Sequence, residues 1–137
     1  VVANARIDDG RIRNRTAVTT PNVVVVLDPS ILRIVDTSKG LSSKGVHVIN
    51  TRRSPDELRE QRELSGRLCT VNANRIAAEE IGRVITNTTM LGALLKATGL
   101  VDRDELIEQV QARFGRIAEG NIKALNRAYD ECTIEGE

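Results

Sequence analysis

Arg52 and Arg53 stand one residue after the run VHVIN and just before Ser54, Pro55 and Glu57. Open α/β sheets bind ligands outside the carboxyl ends of their strands. Two guanidiniums at such an end, with Asn50 and Thr51 before them and a helix start behind, could hold a phosphate or a carboxylate. The competing reading is a solvated loop. Arg11, Arg13 and Arg15 form a second basic group, and their two-residue spacing puts them on one face of a strand. Such a stripe either keeps a sheet edge soluble or meets acidic residues of a partner.

Other candidates carry less. VVVVLD is an apolar strand ending in aspartate, a pattern suited to holding magnesium in nucleotide hydrolysis. That chemistry also needs a G-x-x-x-x-G-K-[ST] loop, and SKGLSSKG has the wrong spacing and precedes a strand. Asp28 therefore reads as a cap, with Pro29 at the first helical position. His47, the only histidine, lies mid-strand among apolar residues and reads as a core or interface group rather than a base. Cys69 and Cys132 show no C-x-x-C spacing and no adjacent base. Two thiols and one histidine cannot close a zinc site or ligate an iron–sulfur cluster unaided, so no metal site is expected in this chain.

Composition excludes whole classes. With 20 Lys and Arg against 19 Asp and Glu, net charge is +1, and nothing draws the chain toward nucleic acid or an anionic membrane. Phe114 and Tyr129 are the only aromatic residues, too few for a base-stacking platform. There is no signal peptide and no long apolar run, so the expected location is the cytoplasm, with reduced thiols. A length of 137 residues suits one domain with a real core, short for a self-sufficient cofactor enzyme. The chain opens on VVANARI, without an initiator methionine, and reads as part of something longer.

The elements that would position these groups follow from periodicity. Residues 1–7 and 11–18 alternate around the turn DDG, predicting an N-terminal β-hairpin with the arginines outside. NVVVVLD and VHVIN are continuous apolar runs, as expected of central strands buried on both faces. Ser54, Pro55 and Glu57 make a capping box. LCTV is a further short strand, and Ile76, Ala77, Ile81 and Val84 recur at helical spacing. From residue 86 onward the reading is wholly helical, with Asp102 and Glu105 as caps and a final stripe of Ala118, Ile122, Leu125, Tyr129 and Cys132. The sum is an α/β fold: a three-layer sandwich around a mainly parallel sheet, with the hairpin in front and a helical C-terminal third.

The helix opening NTTMLGALLKATGL gathers Met90, Leu91, Leu94 and Leu95 on one side. Thr89, Gly92, Ala93 and Ala97 gather on the other, with Lys96 among them. The bulky side suits the sheet. The small side invites close approach of another backbone, and the expected occupant is a partner chain. Gly99 ends the helix in a left-handed cap.

The segment NTTMLGALLKATGLVDRDELIEQV, then RFGRIAEGNIKALNRAYD, resembles the C-terminal part of the gamma subunit or gamma domain of 2-oxoacid:ferredoxin oxidoreductases. Upstream, IRNRTAVTTPNVVVVLDPSIL and GVHVINTRRSP are similar to the same family in the same order. Family members open with a strand and a G-x-G-G-x-G turn, and neither is present. The resemblance therefore implies a single gamma-type domain over residues 1–137 that lacks its first strand-turn-helix unit. It implies a cytoplasmic assembly of the pyruvate synthase kind, in which a 2-oxoacid and coenzyme A become acyl-CoA and carbon dioxide and electrons pass to ferredoxin. Thiamine diphosphate, Mg2+ and [4Fe-4S] clusters would sit on the thiamine-binding and ferredoxin-like companion chains, and no catalytic residue is expected here. Asn50, Arg52, Arg53, Asn87 and Thr88 are then the candidates for positions near coenzyme A. Arg11, Arg13, Arg15, Thr89, Gly92, Ala93 and Lys96 are the candidates for a subunit interface. Two alternatives stay open: a stand-alone module binding a coenzyme-A-like or nucleotide-like anion through Arg52 and Arg53, and a nucleotide-dependent oxidoreductase whose cofactor turn lies upstream.

Overall fold

The computed structural model describes residues 1–137. The β-branched runs build the sheet: Val23–Val26 is β1, Val46–Asn50 is β2 and Arg67–Val71 is β3, and Thr133–Ile134 adds β4. The spatial order is β1-β2-β3-β4, with β1 to β3 parallel and β4 antiparallel to β3. The helices are α1 (Pro55–Gln61), α2 (Ala73–Ile81), α3 (Asn87–Thr98), α4 (Arg103–Phe114) and α5 (Ala118–Glu131), with 3-10 turns at Pro29–Arg33 and Gly115–Ile117.

Alternation along each strand divides the core between the two sheet faces. Val48, Cys69 and Val71 pack with Ala73, Ile76, Met90, Ala93, Ala124 and Ala128, so α2, α3 and α5 cover one face. Val26, Ile49 and Leu68 meet Leu58 of α1, with Ile31 and Leu32 of the first 3-10 turn beside them on the other. The three expected layers are therefore present. Local signals act as read: Asp28 accepts from the Ser30 amide at 3.0 Å, and Asp102 accepts from the Glu105 amide at 3.0 Å. Gly99, at φ 62°, closes α3.

Four expectations fail, each for a physical reason. NVVVVLD is not a central strand buried on both faces: β1 pairs only with β2, which leaves it at the sheet edge with Val25 exposed. Residues 1–18 form no β-hairpin ladder but an extended, mostly exposed double arm. Asn4 Oδ1 accepts from the Val18 amide at 3.3 Å and Arg6 Nη2 donates to the Thr16 carbonyl at 3.2 Å, so side chains bridge the arms. An isolated two-stranded ribbon buries too little to hold a ladder, and Val1, Val2, Ile7 and Ile12 stay exposed. The α2 helix stops at Gly82, φ 82°, which leaves Val84 outside it and exposed. The C-terminal third is not wholly helical, because β4 completes the sheet edge after α5.

The small face of α3 also has a different occupant from the one expected. It packs on the chain's own α5, where a Cβ on Gly92 would come within 2.0 Å of the Leu125 carbonyl oxygen. Thr89, Gly92 and Ala93 are buried there and present nothing to another subunit, whereas Lys96 stays exposed. The matching positions of α5 are small too. Its buried stripe runs through Ala118, Asn121, Ala124, Leu125 and Ala128, while Ile122 and Tyr129 are only half-buried and Cys132 lies just beyond the helix. Side-chain size at the crossing, rather than hydrophobicity alone, selects which face of α5 turns inward.

Candidate functional site

The carboxyl edge of the parallel strands is organised by Asn50. Its amide nitrogen donates to the Leu27 carbonyl at 2.9 Å and to Asn74 Oδ1 at 2.8 Å, and its oxygen accepts from the Ala73 amide at 3.0 Å. One buried side chain thus ties the exit of β1, the end of β2 and the first turn of α2. Both its amide nitrogen and its oxygen are engaged within the chain, so Asn50 shapes this edge.

Arg52 and Arg53 follow as exposed residues on the loop to α1. Arg53 donates through Nη1 to Gln61 Oε1, while Arg52 makes no ion pair or hydrogen bond. The helix start beside them is less open than its sequence suggests. The Ser54 amide donates to Glu57 Oε2 at 2.7 Å, the Glu57 amide donates to Ser54 Oγ at 3.2 Å, and Pro55 has no amide proton. Asp56 and Glu57 add negative charge in the first turn. The capping box therefore consumes donors that an anion would need and repels it electrostatically.

The other candidates lie apart. Asn87 is exposed with Oδ1 accepting from the Thr88 amide at 2.9 Å, and the Thr88 side chain is buried. No hydrogen bond or ion pair joins them to Arg52 or Arg53. Arg11, Arg13 and Arg15 are exposed on the arm without a carboxylate partner in the chain. The candidate cations are thus spread over the edge loop, the arm and α3, and the structure does not bring them together.

Several polar constructions escaped sequence reading because their partners are remote in the chain. His47 is fully buried, its Nδ1 donating to the Ser65 carbonyl at 2.8 Å and its Nε2 facing the Thr37 hydroxyl at 3.1 Å. Burial pulls its pKa below the usual histidine value; it is a core histidine, one of the two roles its sequence position allows, and only its partners are remote. Arg59 of α1 makes a bidentate pair with Glu135 at 2.7 and 2.8 Å and also donates to the Leu64 and Gly66 carbonyls. That contact holds Glu135 below the ordinary carboxylate range and fastens the chain after β4. Arg127 of α5 clamps Glu79 and Glu80 of α2 at 2.6 and 3.1 Å. Tyr129 lies under two cations, Arg103 at 4.3 Å and Lys96 at 5.2 Å from the ring centroid. Beside it opens a cleft of about 600 Å³ lined by Leu100, Val101 and Asp102. No group of three or more His, Cys, Asp or Glu side chains converges as metal ligands, and no helix is long and apolar enough to cross a membrane.

Fold and site together define a three-layer α/β domain with unpaired basic groups at one sheet edge and on a projecting arm. The chain belongs to the pyruvate ferredoxin/flavodoxin oxidoreductase family, whose model matches residues 1–131. It is 43% identical over 136 residues to the pyruvate/ketoisovalerate oxidoreductases common subunit gamma of Thermococcus kodakarensis, covering 98% of this chain and 74% of that protein. It is 39% identical over 133 residues to the pyruvate synthase subunit PorC of Thermotoga maritima, covering 92% of this chain and 68% of that protein. The crystal structure of pyruvate oxidoreductase subunit PORC from Thermotoga maritima superposes with a TM-score of 0.79 at 35% identity, covering 86% of this chain and 67% of that one.

Proposed function

We propose that this chain is the gamma-type subunit of a cytoplasmic 2-oxoacid:ferredoxin oxidoreductase. The assembly joins a 2-oxoacid to coenzyme A with release of carbon dioxide and passes the electrons to ferredoxin. The observation that carries the reading is the similarity to gamma and PorC subunits along nearly the whole chain, 98% of it for the Thermococcus protein. Thiamine diphosphate with Mg2+ and [4Fe-4S] clusters belong, on this reading, to the companion chains. The donor set here does not fit such a cluster, which takes four thiolates where this chain has two cysteines.

The work of the chain is then assembly and shaping of the region near coenzyme A. Asn50 holds the sheet edge rigid, and Arg52 extends from it as an unpaired cation suited to a phosphate or a partner carboxylate. Arg53, steadied by Gln61, lies beside it. Arg11, Arg13 and Arg15 on the arm, and Lys96 on α3, supply the charges for subunit contact. A stand-alone anion-binding module is less well supported, because the capping box occupies the donors of α1.

The test is to purify the tagged full-length protein anaerobically from its own cells and assay the eluate for coenzyme-A-dependent reduction of a viologen dye. Pyruvate, 2-oxoglutarate and branched 2-oxoacids serve as substrates. Co-purification of companion subunits with activity on one of these acids supports the reading and names the substrate. A lone, inactive chain refutes it.

A further inference from the structure

Cys69 and Cys132 are the chain's only sulfhydryls, and the fold brings both to one side of the sheet, against the same apolar cluster. Cys69 lies on β3, fully buried, with its Sγ 3.9 Å from the Ala93 carbonyl oxygen of α3. Cys132 caps the end of α5, half-buried, with its Sγ 3.6 Å from the Tyr129 carbonyl oxygen. Cys69 pairs with Ile134 across the antiparallel β3–β4 ladder, which puts Cys132 diagonally opposite on the same side of the sheet. Both sulfurs join one apolar cluster. Lys96 is exposed, with its ammonium 5.2 Å from the centroid of the Tyr129 ring, and its charge acts on Cys132.

We propose that Cys132 and Cys69 form a thiol–disulfide exchange site, with Cys132 as the attacking thiol and Cys69 as the resolving thiol. The co-reactant is a low-molecular-weight disulfide, RSSR. The Cys132 thiolate attacks one of its sulfurs, the RS–SR bond breaks, and one RS− leaves and takes up a proton. Cys69 then gives up its proton and attacks the Cys132 sulfur, expelling the second RS−. The net change oxidises two cysteines to one disulfide and reduces RSSR to two RSH.

The order follows from access and from charge. Only Cys132 reaches solvent, while Cys69 is enclosed between β3 and α3 and can meet only a partner already inside. Contact with Cys69 and the nearby Lys96 charge favour the Cys132 thiolate, whereas contact with Cys132 and burial hold the Cys69 proton in place. A disulfide needs Cβ atoms about 3.8 Å apart. Cys132 has room to adjust, because it sits past the last turn of α5 and before the β4 pairing begins, held by one backbone bond to Ala128 at 3.1 Å. The product would staple β3 to the junction of α5 and β4.

The experiment uses the full chain in the assembly it forms in its own cells, incubated with glutathione disulfide, trapped by alkylation, and mapped by mass spectrometry. The expected result is a Cys69–Cys132 linked peptide, two hydrogens lighter than the reduced pair and reversed by dithiothreitol. Glutathione remaining on Cys132 while Cys69 stays alkylatable after denaturation would overturn the proposal, as would two unmodified thiols. In Cys69→Ala, glutathione is expected to persist on Cys132; its failure to attach there would equally overturn it. Should that variant not fold, Cys132→Ala carries the same test: Cys69 should then stay unmodified, and its glutathionylation at the wild-type rate would contradict the assigned order.

Discussion

A methyl group on Gly92 would fall 2.0 Å from the carbonyl oxygen of Leu125 and 3.0 Å from the amide nitrogen of Tyr129. The α3 and α5 helices are therefore in backbone contact at this crossing, and only a residue without a side chain fits. Glycine inside a helix costs about 1 kcal/mol of propensity relative to alanine, and the close packing of α3 on α5 offsets it.

Gly92→Ala should destabilise the domain by about 1–3 kcal/mol, the usual range for overpacking, despite its better helix propensity. A urea titration reads this as a lower midpoint with an unchanged slope. Higher stability would show that the two helices cross further apart than described.

Asn50→Leu should cost about 1–3 kcal/mol for each buried group left unpaired. The Ala73 amide is the buried group exposed to that loss, whereas the Leu27 carbonyl belongs to an exposed residue and can turn to water. Arg52→Ala, a surface change beside it, should stay within about 0.5 kcal/mol while lowering the activity of the assembled enzyme. Equal stability of the two variants would mean that Asn50 does not bracket the edge.

Much of this architecture was legible from periodicity. The β-branched runs, the capping box at Ser54 and the end of α3 at Gly99 are local features set by local rules. What escaped was non-local. The partner of the small face on α3 was underdetermined because Gly92 announces close approach but not which backbone approaches. The strand β4 is only Thr133–Ile134, too short to show alternation. The N-terminal alternation was real, yet the arms remain exposed and form no ladder. At the sheet edge, the place of Arg52 and Arg53 after β2 is legible in the sequence, whereas the role of Asn50 depends on Asn74 and Leu27, which no spacing rule connects.

His47 gives stability a pH dependence. Burial lowers its pKa in the folded state below the ordinary histidine value of 6.5, so the unfolded chain binds a proton first as pH falls. Stability should be flat above that value and decline below it, levelling once the folded-state pKa is passed. His47→Gln should remove most of this slope in thermal melts taken between about pH 7 and 5. An unchanged slope would assign the dependence to another group.

Glu135 acts in the opposite part of the scale. Pairing with Arg59 lowers its pKa below 4.5, so its contribution is present above that value and disappears as pH falls through the folded-state pKa. The pair is about one third exposed, 34% and 28% at its side chains, which limits its worth to on the order of 1 kcal/mol. Glu135→Gln should lower stability at neutral pH by that amount and converge with wild type in acid, as followed by denaturant midpoints.

The proposed role makes this chain a required part of a 2-oxoacid oxidoreductase. The companion subunits should be expressed anaerobically with and without the full-length chain, and each preparation assayed for coenzyme-A-dependent viologen reduction by 2-oxoacids. Turnover is expected only when the chain is present. Full activity from companions that assemble without it would contradict the claim.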